Sequence, residues 1–449
     1  MKPRSLKYSL GLVILLILFS CSLGEESYYT DLPDEILELR IKELHGARKQ
    51  LLLPSSSDLE NIPADPGNPL TKDKVLLGQL LFHETGFGLA PEMEIGKETY
   101  SCASCHHFKA GFQSGIIQGI GEGGVGFGIK GESRHASSDY PEELLDVQPI
   151  KTPSALNVAF QEVMLWNGQF GALGINQGTE GSWTSGTPKE NNHLGFSGVE
   201  TQAIAALTVH RQVIESDLVF NKTYKKLFDK AFPEIPQDKR YTKITAGLAI
   251  AAYERTLLPN EAPFQKWLKG NKNAMSTVEK EGALLFYTKG KCYTCHSGPG
   301  MNGMGFHALG MKDLQGANVH KPIDEITKKG RGGFTLDPED DFKFKTPQLY
   351  NLKDVQFYGH GGSFRTLREI IEYKNKAVPE NAAVPVDNLS PLFEPLDLTD
   401  SEIDKLTYFI ENSLYDDRLS RFVPESLPSG NCFPNADPQS MEDLGCIDQ

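Results

Sequence analysis

Ser101-Cys102-Ala103-Ser104-Cys105-His106 and, much later, Lys291-Cys292-Tyr293-Thr294-Cys295-His296 carry one pattern twice, C-x-x-C-H. Two thiols at that spacing form thioether bonds to a haem, and the adjoining His ligates its iron. A zinc site, a redox disulfide and coincidence are the competing readings. With 11 His among 449 residues, composition alone places a His after both pairs about once in a thousand trials. A four-Cys zinc ribbon keeps its two pairs close in sequence, whereas here much of the N-terminal half separates them. The pattern therefore predicts two covalently bound haem c groups. Cys102, Cys105, Cys292 and Cys295 are their attachment points, and His106 and His296 their iron ligands.

Working outward, both motifs sit in similar surroundings. Gly78-Gln79-Leu80-Leu81-Phe82 before the first matches Gly282-Ala283-Leu284-Leu285-Phe286 before the second. Thr152-Pro153-Ser154-Ala155-Leu156-Asn157 after the first is answered by Thr346-Pro347-Gln348-Leu349-Tyr350-Asn351. Each unit reads helix, C-x-x-C-H, Gly-rich loop, T-P-x-x-x-N, which predicts two similar modules. Thr71 is placed to cap a helix over 72–84, and Ser276 with Glu279 forms a capping box ahead of 280–289. Apolar spacing predicts further helices over 200–215 and 242–258, with Thr399 and Glu402 opening another over 403–414. Ile36, Leu39, Leu44 and Leu51 give the segment after Leu32 an amphipathic pattern. Glycine recurs from Gly111 to Gly131, where regular structure is not expected. Few stretches alternate with a period of two, so the fold class is mainly α, with two cytochrome c-like haem domains, long loops and little β structure.

A chain of this length exceeds one ordinary hydrophobic core. The expected division is a signal segment at 1–21, a helix and linker at 22–70, haem domains at 71–270 and 271–425, and a tail at 426–449. Lys2, Arg4 and Lys7 precede an apolar run from Tyr8 to Phe19, the pattern of a secretory signal. Leu18-Phe19-Ser20-Cys21 resembles a bacterial lipobox, although Phe19 stands where a smaller residue is usual. It implies lipidation of Cys21 and a place in the cell envelope: the periplasm, with an outer-membrane anchor. Cys432 and Cys446 remain, and in an oxidising compartment they are expected to close the tail with a disulfide. The net charge of -14 excludes nucleic acid as a partner, since phosphates need a basic footprint.

Taken together, these motifs with Trp166-Asn167-Gly168 and Tyr358-Gly359-His360-Gly361-Gly362-Ser363 resemble the bacterial diheme cytochrome c peroxidase family. They also resemble its relatives that mature a protein-derived quinone cofactor. The resemblance implies reduction of hydrogen peroxide with electrons from a small redox protein, a c-type cytochrome or a cupredoxin, and leaves a homodimer open. It makes the haem at His106 the peroxidatic one and the haem at His296 the entry point for electrons, with Trp166 between them. It puts a proton-moving carboxylate at Glu200. Candidate sixth ligands of the second haem are Met311 and Tyr373, the latter one place out of register; Met304 is a further Met nearby. A calcium ligand of the family is replaced by Lys151. Two alternatives stay open: an enzyme that oxidises side chains of a partner protein, and a non-enzymatic diheme electron carrier.

Overall fold

The computed structural model describes residues 25–214 and 222–446, with side chains from Pro33 onward. The signal segment and Cys21 lie outside these residues. No described helix is long and apolar enough to cross a membrane.

Twelve α-helices are described: α1 (Glu25–His45), α2 (Lys72–His83), α3 (Gly198–Val209), α4 (Lys222–Ala231), α5 (Lys243–Arg255), α6 (Pro263–Leu268), α7 (Thr277–Phe286), α8 (Glu325–Lys328), α9 (Arg331–Thr335), α10 (Leu367–Lys376), α11 (Asp400–Tyr408) and α12 (Pro438–Leu444). β structure is confined to two antiparallel two-residue ladders, β1 (Gly124–Val125) with β2 (His135–Ala136) and β3 (Phe306–His307) with β4 (Phe344–Lys345). The mainly helical expectation holds.

Each half is built on one helix crossing. In the first, α2 crosses α5 so closely that a Cβ on Gly78 would lie 1.9 Å from the Ala249 carbonyl oxygen. In the second, α7 crosses α11, and a Cβ on Gly282 would lie 2.1 Å from the Lys405 carbonyl oxygen. Only a residue without a side chain permits backbone contact of this kind. The N-termini follow the sequence: Thr71 accepts from Lys74 N, while Ser276 and Glu279 form a capping box, as do Thr399 and Glu402. α5 is buried along almost its whole length because its Ala-rich surface lets α2 and α3 approach from two sides.

The repeat extends to the turns. Asn157 and Asn351 are both left-handed, and their N–H groups donate to Leu257 O and Leu414 O, each at 3.0 Å and each just beyond the last helix of its own module.

The modules exchange their ends. α1 packs on the second module, where Asp34 accepts from Trp267 Nε1 (2.6 Å) and Lys280 Nζ (2.7 Å). The tail returns to the first, where Ser101 Oγ donates to Pro434 O (2.8 Å) and buried Arg134 pairs with Asp437 (3.4 Å). Cys432 and Cys446 are disulfide-bonded.

Several expectations are corrected. On α1 the buried positions are Asp34, Leu37 and Ile41, whereas Ile36 and Leu39 face solvent, because the helix turns its ion-pairing side inward. The helix expected over 200–215 stops at Val209, where Arg211 adopts a positive φ and pairs with Glu122. Nor do the cores divide at 270 and 425. Phe264 and Trp267 belong to the second core, and Leu419, Phe422 and Leu427 to the first.

Candidate functional site

Both C-x-x-C-H segments form one turn of 3-10 helix in which the His N–H bonds back to the first Cys carbonyl, at 3.0 Å for His106 and 2.9 Å for His296. The ring orientation is then fixed from behind. His106 Nδ1 donates to Phe112 O (3.1 Å), and His296 Nδ1 lies within reach of Met301 O (3.2 Å) and Pro347 O (3.0 Å). A carbonyl can only accept, so Nδ1 carries the proton and Nε2 is left with its lone pair, the arrangement an imidazole needs to ligate a metal. Burial lowers both imidazoles to about 4, so they are neutral at physiological pH. None of the four motif cysteines takes part in a disulfide. The two motifs sit against different cores, and among the described residues no group of three or more His, Cys, Asp and Glu gathers at one point.

Two cysteines beside an imidazole with a free Nε2, facing a cavity, make a donor set that fits a covalently held haem at each site. The second site shows this most openly. Cys292, Cys295 and His296 face a cavity of about 270 Å³ whose wall is largely aliphatic and aromatic, and Trp166, Met311 and Lys374 also line it. The first cavity is smaller, about 40 Å³, and its wall is more polar. There Cys102, Cys105 and His106 are joined by Gln202, Gln212 and Glu254. Glu254 Oε2 and Gln212 Nε2 are both buried without a hydrogen-bond partner. Burial, then the neighbouring charge of Glu200, pushes the Glu254 carboxyl up to about 8. At the rim His210 Nδ1 meets Asp146 at 2.8 Å. Burial opposes protonation of His210, but the Asp146 charge and hydrogen bond outweigh it and its pKa is raised.

Glu200 is not part of the first cavity's wall. It is fully buried, both its oxygens are taken by Arg255, and Asn68 Nδ2 approaches at 3.3 Å. The resemblance implies a proton-moving carboxylate at Glu200, and the structure sets that side chain in an ion pair away from the cavity wall. Glu254, one residue before that arginine, lines the cavity with Ile250 one helical turn earlier. Two adjacent ionisable residues, Glu254 and Arg255, closing a largely apolar helix were the available signal.

The resemblance expects Trp166 between the two haem sites. Trp166 lines the second cavity, and its Nε1 donates to Lys151 O (2.8 Å), two residues before Pro153, whose carbonyl also approaches the His106 ring. Its own carbonyl accepts from Lys345 N (2.7 Å) in the second module. Of the sixth-ligand candidates, Met311 lines the cavity and Met304 does not. Neither does Tyr373, whose hydroxyl donates to Leu309 O. Its helix turns a different side to the cavity, which corrects that expectation. At the position read as a lost calcium ligand, Lys151 is buried and donates from Nζ to Gln113 Oε1 (2.6 Å).

Residues 72–273 match the family model described as di-haem cytochrome c peroxidase. Over that stretch the chain resembles that family. Methylamine utilization protein MauG of Methylorubrum extorquens is 26% identical over 78% of this chain and 81% of its own length. Cytochrome c551 peroxidase of Nitrosomonas europaea is 26% identical over 84% and 90%. Cytochrome c peroxidase Ccp of Escherichia coli is 29% identical over 67% of this chain and 52% of its own. A solved structure of a MauG-like protein associated with microbial copper homeostasis superposes with a TM-score of 0.53 at 22% identity, covering 81% of this chain and 96% of that one. That likeness shows that the chain shares its fold.

Proposed function

We propose that this chain reduces hydrogen peroxide to two waters, taking two electrons from a small redox protein, a c-type cytochrome or a cupredoxin, and two protons through the protein. One observation carries the reading: two equivalent imidazoles, each with Nδ1 held by a backbone carbonyl, face cavities of different polarity, and Trp166 lines the second. Cys102, Cys105 and His106 would hold one haem, and Cys292, Cys295 and His296 the other. Bound haem supplies the iron on which the oxygen–oxygen bond is reduced.

The chain's own work at the first site is proton handling. Glu254 Oε2 has no other partner and is held in a range where the carboxyl keeps its proton near neutral pH. It is therefore suited to give a proton to the departing oxygen, while Gln212 Nε2 donates a hydrogen bond to orient it. Trp166, bonded to Lys151 O, joins the second cavity to the segment that touches His106.

Tyr373 as an iron ligand would favour oxidation of a partner's side chains, and its hydroxyl donates to Leu309 O instead. We propose no calcium at Lys151, whose side chain has no oxygen to offer the ion and whose buried Nζ donates to Gln113 Oε1. We place the protein in the envelope through Cys21, which mass spectrometry of the mature N-terminus would test.

The function is tested by stopped-flow mixing of ferric and half-reduced protein with peroxide. Fast consumption of two reducing equivalents per peroxide is expected. Two haems inert to peroxide in every redox form would make the chain an electron carrier.

A further inference from the structure

The second cavity holds one group that the reading above leaves unused. Along α10, Leu367, Ile370, Ile371 and Lys374 all line the cavity. Their spacing of i, i+3, i+4 and i+7 is that of a single helix face, so a stripe of aliphatic side chains ends in an amine. Lys374 Nζ makes no hydrogen bond or ion pair among the described residues. Its nearest noted neighbour is the Phe393 ring, 5.9 Å from the centroid. The two carboxylates of the cavity wall are engaged elsewhere, Glu394 with Lys291 (2.6 Å) and Asp313 with His360 (3.5 Å).

An ammonium left unpaired against an aliphatic wall is unfavourable, whereas a neutral amine there is a strong donor to a metal. Lys374 shares the cavity wall with Cys292, Cys295 and His296, so its amine and that imidazole face one space.

We propose that Lys374 Nζ is the sixth ligand of the iron held by His296. The inference rests on the reading of this cavity as a haem site. Coordination displaces the ammonium proton to solvent and leaves the iron closed by an amine and an imidazole, which suits a site that passes electrons and does not bind peroxide. Of the other wall residues able to ligate, His360 is stacked on Phe344 with ring centroids 3.7 Å apart and has its Nε2 3.5 Å from Asp313. Met311 Sδ packs on the turn at Gly359, where a Cβ would lie 3.1 Å from it. His307 Nδ1 is bonded to Ser390 Oγ (3.1 Å), and its Nε2 lies against Gly305, where a Cβ would be 2.6 Å away.

The test uses the full chain made with haem-attachment machinery. Intact mass comes first: absence of two porphyrin additions would sink the haem reading itself, independently of Lys374. With both haems attached, ferric electron paramagnetic resonance and near-infrared magnetic circular dichroism should show one low-spin centre with an amine–imidazole signature. Lys374→Ala should convert that centre to high spin, and Lys374→Met should replace its signature with the sulfur-to-iron band of a thioether ligand. Met311→Leu should change neither. If Lys374→Ala misfolds, Lys374→Met, of similar length, still reports through its band. An unaltered low-spin centre in both Lys374 variants, as expected were the amine only a propionate partner, would overturn the proposal.

Discussion

Glu200 and Arg255 meet through both carboxylate oxygens, at 2.8 Å to Nε and 2.6 Å to a terminal nitrogen, with both residues buried. This pair fastens α3 to α5, and Arg255 also donates to Pro63 O (3.1 Å) in the N-terminal arm. A carboxylate so engaged is absent from the cavity wall, whereas Glu254 lines it and keeps Oε2 without a hydrogen-bond partner.

The two glutamates should therefore separate cleanly on mutation. Glu254→Gln should slow the reaction with peroxide by about 10²- to 10⁴-fold, the usual scale of a positioned acid or base, with both haems retained. Glu200→Gln should instead cost about 3–5 kcal/mol of stability, the scale for breaking a buried ion pair. Stopped-flow kinetics and denaturant midpoints on both variants check this. The reverse pattern would return the catalytic role to Glu200.

A pH dependence follows from the same residue. The Glu254 carboxyl is raised to about 8 in the folded chain from an ordinary value of 4.5, so between those limits the folded state binds the extra proton. Its favourable contribution is fully present below about 4.5 and is lost as pH rises through about 8. The stability of the native chain relative to Glu254→Gln should thus decline as pH is raised across that window. Parallel urea titrations measure it, and a flat difference would show that Glu254 is ionised throughout.

How much of this was legible in the sequence depends on what kind of contact each residue makes. The two haem motifs, their Gly78 and Gly282 partners and the T-P-x-x-x-N turns are local patterns whose geometry follows from a few consecutive residues, and all could be placed in advance. Glu200 could not. Gln202, Ala206 and His210 line the first cavity from α3, and a residue two positions before Gln202 lies about 200° round the helix. That rotation, together with an arginine 55 residues away, decides its role. Lys374 was closer to view, because the stripe from Leu367 runs straight to it. Attention to Tyr373 as a familiar ligand type concealed that the stripe selects its neighbour. The exchange of ends between modules was invisible for another reason, since Asp34 with Lys280 and Ser101 with Pro434 are contacts across hundreds of residues.

Trp166 offers a test of the connection between the sites. Trp166→Phe keeps an aromatic ring but removes the bond from Nε1 to Lys151 O. Electron transfer between the sites should slow by about tenfold or more, corresponding to at least about 1.4 kcal/mol in the barrier. The visible spectra of both haems should stay unchanged. Rapid-mixing spectroscopy of half-reduced protein with peroxide resolves the two centres, and an unaltered rate would show that the route avoids this side chain.

The helix crossings predict paired effects on folding. A methyl group at Gly78 or Gly282 would fall about 2 Å from a backbone carbonyl oxygen of the crossing helix, and neither backbone can retreat without separating the helices. Gly78→Ala and Gly282→Ala should each cost about 3 kcal/mol, the upper part of the usual range for overpacking. The loss should be local to one module: Gly78→Ala should impair haem attachment at Cys102 and Cys105 first, and Gly282→Ala at Cys292 and Cys295. Intact mass and peptide mapping read the two sites separately. Equal loss at both sites in either variant would mean that the modules fold as one unit, which the exchanged ends at Asp34 and Pro434 make the principal alternative.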